Sequence, residues 1–552
     1  MKFAGLNERE IGLSGGSPEG AAVNSQGREP SLLHTSFDWY WRSGGDTTLW
    51  VVGEWAQGGE ASQGRPDMLS PWILDEVKTA KLNDKRLNAR FGQVLSQLAA
   101  RPTASIPAAC GGRAEMVAAY RFCENKNTSF DRVLESHIDA TQQRIAVEPV
   151  VLLAQDTTEI DVTRPEQQVM GAGPLDGNSR RGALLHLMHA FTPDGTPLGT
   201  VAATAWVRGE EPVCASLSRA QRAAIPIEEK ESHRWVVMLR QAREKARQCP
   251  ASHVICVADS EADIYELLVE GTTEPRSVDF IVRACQDRAL LGEDGKTTGN
   301  RHIREQVLEQ SVLFEQTVQV RGRKAKVSCE TRGRRQPRRS REATVAVRAA
   351  RITLRPPWRS DRQLPPVTVN AVLVSEVNPP LDDEPVEWLL LTSLPIDTVE
   401  QVRQIVQYYC VRWMIEVFFR VLKSGCRAEE RLFEYMDRLL TCLALYVIVA
   451  WRTLYVCRLG RSCPDLSCEA VFEPAEWKSA WKVVRREDPP VQPPPLGVFV
   501  RLVAQLGGYI NRKRAAPPGP QTIWIGLQRI HDFATCWQQF GPDAQKGLET
   551  CV

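Results

Sequence analysis

Tyr409-Cys410-Val411-Arg412-Trp413-Met414-Ile415-Glu416-Val417-Phe418-Phe419-Arg420-Val421-Leu422-Lys423 is the stretch on which the reading of this chain turns. On a helix advancing 100° per residue, Tyr409, Arg412, Glu416 and Lys423 sit at about 0°, 300°, 340° and 320°, a wedge about 60° wide. Val411, Met414, Ile415, Phe418 and Leu422 fall on the opposite side. The spacing predicts an amphipathic helix that buries an apolar stripe and presents one acid among cationic and phenolic groups. Such a line suits a site that holds a metal ion beside a phosphate. Taken alone, it reads equally as a solvated face with an i,i+4 Arg–Glu pair.

Two upstream stretches supply matching acids. Val150-Val151-Leu152-Leu153-Ala154 follows Pro149 and is apolar and β-branched enough to be a buried strand; it ends in Gln155-Asp156-Thr157-Thr158. His253-Val254-Ile255-Cys256-Val257-Ala258 is a second such run, ending in Asp259. In Ser260-Glu261-Ala262-Asp263, the serine can cap a helix with acids in its first turn. An Asp at the C-terminal end of a core strand lies where α/β proteins place ligands. Either Asp alone also reads as a turn or cap residue. Two strand-end Asp residues followed by a helical Glu can hold two divalent ions roughly 3.5–4 Å apart, a pair suited to cutting a phosphodiester.

Asp156-Thr157-Thr158, Asp259-Ser260-Glu261-Ala262-Asp263 and Tyr409-x2-Arg412-x3-Glu416-x6-Lys423 resemble the three signatures of the bacterial DDE transposases of the IS-four family, the Tn-five transposase group. The similarity runs from about Trp72 to about Trp524. One position departs: Ser260 stands where the group often carries Arg. The resemblance implies an α/β fold: an RNase H-like catalytic core interrupted by a β-rich insertion, with helical N-terminal and C-terminal domains. It implies Asp156, Asp259 and Glu416 as ligands of two Mg²⁺ ions, with Mn²⁺ able to substitute. It also implies that Arg412 and Lys423 neutralise phosphate oxygens and that Tyr409 positions a phosphate.

Composition sets the frame. A chain of 552 residues is too long for one core and suggests three or four domains. No run of eighteen apolar residues occurs. The longest candidate, Leu439–Ala450, is too short to span a bilayer. Fifteen cysteines without a C-x2-C pair argue against a disulfide framework or a zinc site, and for a reducing cytoplasm. The net charge of +2 hides a clustering of basic residues.

Residues 1–67 are rich in Gly and Ser and lack a sustained period. They read as a disordered leader or as sequence joined by a mis-assigned start, with Met68 close before the matching pattern. Residues 68–147 are helical in pattern; Lys85, Arg86 and Arg90 share one side of a helix, which suits phosphate contacts or an ordinary solvated face. The resemblance makes this a DNA-end-binding domain. The first part of the core is expected over 148–283, and a β-rich insertion over 284–387. Strands are expected at Thr317–Val320, Ala343–Val347, Ile352–Leu354 and Val367–Val374. Within the insertion, Arg321–Arg341 carries ten Lys or Arg against one Glu. Arg334, Arg335, Arg338 and Arg339 there suit a phosphate backbone, as does Arg283 before the insertion. By resemblance, Trp388 stacks on a base flipped from the DNA end; read alone, it is a buried strand tryptophan. The core resumes over 388–460, and 461–552 is expected to serve dimerisation and DNA contact.

The function so implied is cut-and-paste transposition. The protein would bind the terminal inverted repeats of an insertion sequence and excise it through a hairpin intermediate. It would then join the 3′-OH ends to target DNA. Its partners would be double-stranded DNA and, once assembled on DNA, a second copy of the chain, in the cytoplasm at the nucleoid and not at a membrane. Two other readings stand: a metal-dependent DNA nuclease without strand transfer, and a DNA-binding regulator of transposition.

Overall fold

The apolar run that begins at Val150 forms the central strand of a sheet, and its length sets the architecture. The computed structural model describes residues 69–164, 167–176, 179–209, 218, 221, 224–292, 301–320, 339–381, 383–512 and 516–542. The expected leader, and Arg334, Arg335 and Arg338 of the basic run, lie outside these residues; Arg339 is described and exposed.

Strand β1 (Val150–Asp161) is buried on both faces through Thr157. Val151 and Leu153 enter one core and Ala154 another, so the run is almost continuously apolar instead of alternating. Three strands follow: β2 (Gly173–Pro174), β3 (Arg181–Phe191) and β4 (Pro197–Trp206). β3 pairs antiparallel with β1, and β4 antiparallel with β3. On the other side of β1, β5 (His253–Ala258) and then β6 (Asp279–Arg283) run parallel to it. The core order β4-β3-β1-β5-β6, three antiparallel strands joined to two parallel ones, is RNase H-like, as expected.

The β-rich stretch also forms, as β7 (Phe314–Val320), β8 (Arg341–Leu354) and β9 (Val367–Glu376). It continues the core sheet: β10 (Glu387–Thr392) pairs antiparallel with β6 on one side and with β9 on the other. Arg283, at the end of β6, is half-buried and donates to the Glu387 carbonyl at 3.3 Å, so this expected DNA contact is tied into the sheet.

Among the described residues, five helices precede the sheet: α1 (Pro71–Val77), α2 (Lys85–Ala100), α3 (Ile106–Cys110), α4 (Arg113–Glu124) and α5 (Phe130–Ile145). Asp84 caps α2 by accepting from the Arg86 N–H at 2.8 Å. The helix buries Leu87, Phe91, Val94, Leu95 and Leu98, leaving Lys85 and Arg86 exposed and Arg90 half-buried. A buried ionic joint fastens this layer to the rest. Glu76 of α1, 1 % exposed, meets His137 at 2.5 Å and Arg144 at 2.7 Å, both on α5. His137 in turn accepts from the Thr200 N–H on β4. Burial pushes the Glu76 carboxyl up, but Arg144 and His137 outweigh it and hold the group below its ordinary range.

Helices α6 (His233–Arg247) and α7 (Tyr265–Thr272) flank the parallel strands, and α8 (Ile303–Leu308) follows. After β10 come α9 (Val399–Val411), α10 (Trp413–Arg420) and α11 (Met436–Ser462). The last three are α12 (Pro474–Arg485), α13 (Leu496–Leu506) and α14 (Pro520–Phe540). α11 has 27 residues, longer than the apolar run alone suggests. Its composition would allow a membrane span, but 83 % of its most apolar window is buried inside the protein. It packs on α5, β4, α2 and α14, and is the central helix of the core.

Candidate active site

The first Asp does not end its strand. β1 runs on past Ala154 to Asp161 because β3 pairs with it throughout, whereas the parallel ladder with β5 stops at Gln155 opposite Ala258. The next residues on the two strands are Asp156 and Asp259. Adjacent strands lie about 4.8 Å apart, so the ladder's end sets the two carboxylates side by side. Both are buried, at 7 % and 1 % exposure.

The turn after Asp259 differs from the expected serine-capped helix. Asp259 is itself the cap: its Oδ1 accepts from the Glu261 N–H at 2.9 Å, opening a single 3₁₀ turn over Ser260–Ala262. Asp263 is structural. Its carboxylate accepts from the N–H groups of Cys285 and Gln286 at 2.8 and 3.0 Å and from Arg288 at 2.6 Å. That pins the loop that follows β6.

The third signature is not one straight helix. The chain breaks at Arg412 between α9 and α10, and Val421–Gly425 opens into a π turn. Wider turns advance less than 100° per residue, so the wedge drawn on an ideal helix does not survive. Tyr409 is 3 % exposed and its ring meets Trp388 edge-on at 5.5 Å between centroids. Trp388 is half-buried on β10. Lys423 lies in the π turn, 3.1 Å from Glu429, which also accepts from the Asp161 N–H at the end of β1. Gly425 is required by close approach: a Cβ there would stand 2.9 Å from the Trp524 ring of α14.

Arg412 disposes of the solvated-face reading. It is 2 % exposed; its Nη2 donates to Glu416 Oε1 at 2.8 Å, and its Nη1 stands 3.7 Å from Asp156 Oδ2. A surface i,i+4 pair would be wet, whereas this guanidinium is sunk between a strand acid and a helix acid. Asp156, Asp259, Arg412 and Glu416 thus converge from β1, β5 and the α9–α10 junction. Burial, and then the neighbouring Asp259 carboxylate, push the Asp156 carboxyl well above its ordinary range, against the pull of Arg412.

Among the described residues, no three His, Cys, Asp or Glu side chains already encircle one point as metal ligands. The donor set nonetheless fits a hard divalent cation. It is all carboxylate, and the crowding that raises Asp156 is what a cation between the acids would relieve. Arg412 adds positive charge beside Asp156 and Glu416. Of the residues expected at the site, Asp156, Asp259, Glu416 and Arg412 come together. Tyr409 packs beside Trp388 in the apolar core, and Lys423 pairs with Glu429. Lys85, Arg86 and Arg90 stand apart on α2, and Arg339 lies just before β8.

Three family models match the chain, covering residues 70–128 (Transposase DNA-binding), 228–451 (Transposase DDE domain) and 448–539 (Transposase Tn5 dimerisation domain). The chain belongs to the Tn5-like DDE transposases. Membership of the IS-four family is consistent with all three matches. The DDE match includes Asp259, Arg412, Glu416 and Lys423, and begins after Asp156. Among solved structures, the transposase is similar to the piggyBac transposase synaptic complex with hairpin DNA. Identity is 10 % over 71 % of this chain and 72 % of that one, with a TM-score of 0.33. By the three family matches, the protein is a DNA transposase enzyme of a class that generally uses divalent metal ions, with DNA-binding and dimerisation regions.

Sequence reasoning missed Arg234 and Glu261 as neighbours of the two Asp residues. Glu261 was visible in the second signature. Arg234 carries no signal of its own, being one arginine in a basic helix.

Proposed function

We propose that this transposase binds the terminal inverted repeats of its element, cuts at their ends and joins the freed 3′-OH groups to target DNA, acting at the nucleoid. Asp156, Asp259 and Glu416 would hold Mg²⁺. When bound, such ions supply Lewis-acid activation of water and neutralisation of phosphate charge. The observation that carries the reading is that two ladder-end carboxylates, a helical one and a buried arginine come together.

The chain's own groups have distinct tasks. Arg412 would donate to a non-bridging phosphate oxygen, where charge is held in the transition state. Lys423, from the π turn, would neutralise a second phosphate. Tyr409 would fix the rim of the site through its packing on Trp388 and, by hydrogen bond, a phosphate. The exposed Lys85 and Arg86 of α2, with Arg90, would follow the backbone of the end DNA. Excision would pass through a hairpin, with Trp388 holding a flipped base. A second copy, assembled on DNA, would complete the active complex.

The test incubates purified protein and Mg²⁺ with labelled end DNA and a supercoiled target. Joined products, with a 3′ end linked to target, are the expected result. Cutting without joining would leave a nuclease instead.

A further inference from the structure

Arg234, in the first turn of α6, reaches both β1 and the turn that follows β5, the two segments that carry the Asp residues. Its Nε donates to Thr157 Oγ1 at 3.0 Å and its Nη2 to Glu261 Oε2 at 2.8 Å. Its Nη1 is anchored on the Glu231 carbonyl at 2.9 Å. The side chain is only 14 % exposed and stands against the rings of Trp206 and Trp235, 5.8 and 5.5 Å from their centroids.

The two residues it grips are those whose backbone fixes the two carboxylates. The Thr157 N–H donates to Asp156 Oδ1 at 2.7 Å, and the Glu261 N–H donates to Asp259 Oδ1 at 2.9 Å. One guanidinium therefore spans, through two short and matching linkages, from one Asp to the other. It does so just where the β1–β5 ladder stops, at Gln155 opposite Ala258, and backbone pairing no longer sets the separation of the strands. The Thr157 hydroxyl, itself buried, is fixed a second time by His186 Nδ1 at 2.8 Å from the opposite strand. A guanidinium suits the task because its planar fork keeps several donors in fixed relation, and a bond to a carboxylate is charge-assisted.

We infer that Arg234 is a positioning residue for the active centre: it clasps β1 to the turn that follows β5 through Thr157 and Glu261, and so sets the spacing of Asp156 and Asp259. This rests on the reading of those two carboxylates as metal ligands. Outer partners that orient metal ligands typically change affinity or activity by about 10–100-fold when removed. A purely structural arginine would lower stability without moving the metal dependence.

The experiment titrates Mn²⁺ into full-length protein without DNA, followed by electron paramagnetic resonance, and in parallel measures the Mg²⁺ concentration that half-saturates nicking of end DNA. Arg234→Ala should weaken Mn²⁺ binding and raise the half-saturating Mg²⁺ by about tenfold or more, with end-DNA affinity unchanged and activity recovering at high metal. Arg234→Lys, which can reach one partner but not both, should fall between. Thr157→Val and Glu261→Ala each cut one arm of the clasp and carry the same test should Arg234→Ala fail to fold. Each should shift the metal dependence in the same direction, and combining Thr157→Val with Arg234→Lys should add less than the sum. Metal titrations that overlay the wild type in these variants, while Asp156→Ala binds no metal and does not cut, overturn the clasp alone. Metal binding and cutting by Asp156→Ala would overturn the underlying reading instead.

Discussion

At the scale of single residues, the three carboxylates make the most direct prediction. Asp156→Ala, Asp259→Ala and Glu416→Ala should each abolish nicking of end DNA in Mg²⁺ while leaving end binding intact. Removal of one ligand disables two-metal chemistry, whereas affinity comes from phosphate contacts elsewhere. Gel shifts and strand-cleavage assays on the same preparations check it, and near wild-type cutting by any variant removes that residue from the set. Trp388 allows a finer test. Nicking needs only an undistorted phosphate, whereas a hairpin must unpair and unstack the end at a cost of a few kcal/mol, part of which stacking on Trp388 would offset at about 1–3 kcal/mol. Trp388→Ala should therefore accumulate nicks and lose hairpins on a labelled end. In the structure, the ring already packs edge-on against Tyr409. Equal loss of all products, together with a fall in melting temperature, would mark it as a packing residue only.

At the scale of elements, α2 separates two roles by face. Phe91 is fully buried and stacks on Phe122 of α4 at 5.9 Å, so Phe91→Ala should cost about 3–5 kcal/mol of stability, read from a denaturant midpoint. Lys85 and Arg86 are exposed on the same helix. Replacing both with Gln should leave the midpoint unmoved, weaken DNA binding, and reduce the slope of log K against log salt by up to about 0.9 for each phosphate no longer neutralised. Unchanged salt dependence would return that face to ordinary solvent.

At the scale of the whole molecule, acid stability reports on the joint between the helical layer and the core. Burial holds the His137 and His189 imidazoles below their ordinary 6.5, His189 well below it. As pH falls through about 6.5, the unfolded chain takes up protons that the folded one refuses, so stability is lost. Glu76, held below 4.5, adds a second loss lower down, while Asp156, pushed the other way, opposes it. Glu476, pushed up by burial to about 7, opposes the two histidines over the same range, so their contribution is read as the difference between wild type and a variant lacking one of them. His189→Phe, placed against Phe418 and Phe191, should flatten that part of the profile. Parallel melting curves for the two proteins across that range check it.

What the sequence determined by itself was the chemistry and the class. Apolar runs ending near Asp156 and Asp259, and a fixed spacing of Arg412, Glu416 and Lys423, are local patterns. Strand burial and helix period write them directly into residue order, and their resemblance to the family's signatures is what made the RNase H-like core and the transposase family legible. Only the tertiary structure decided how those residues meet. β1 runs to Asp161 because a distant strand, β3, pairs with it. The helix breaks at Arg412 and widens at Lys423, which an ideal wheel cannot show. Arg412 becomes a buried counter-ion because Asp156, far away in sequence, comes within 3.7 Å of it. Arg234 was invisible for the same reason: its meaning lies wholly in two partners, Thr157 and Glu261, that only folding brings to its guanidinium.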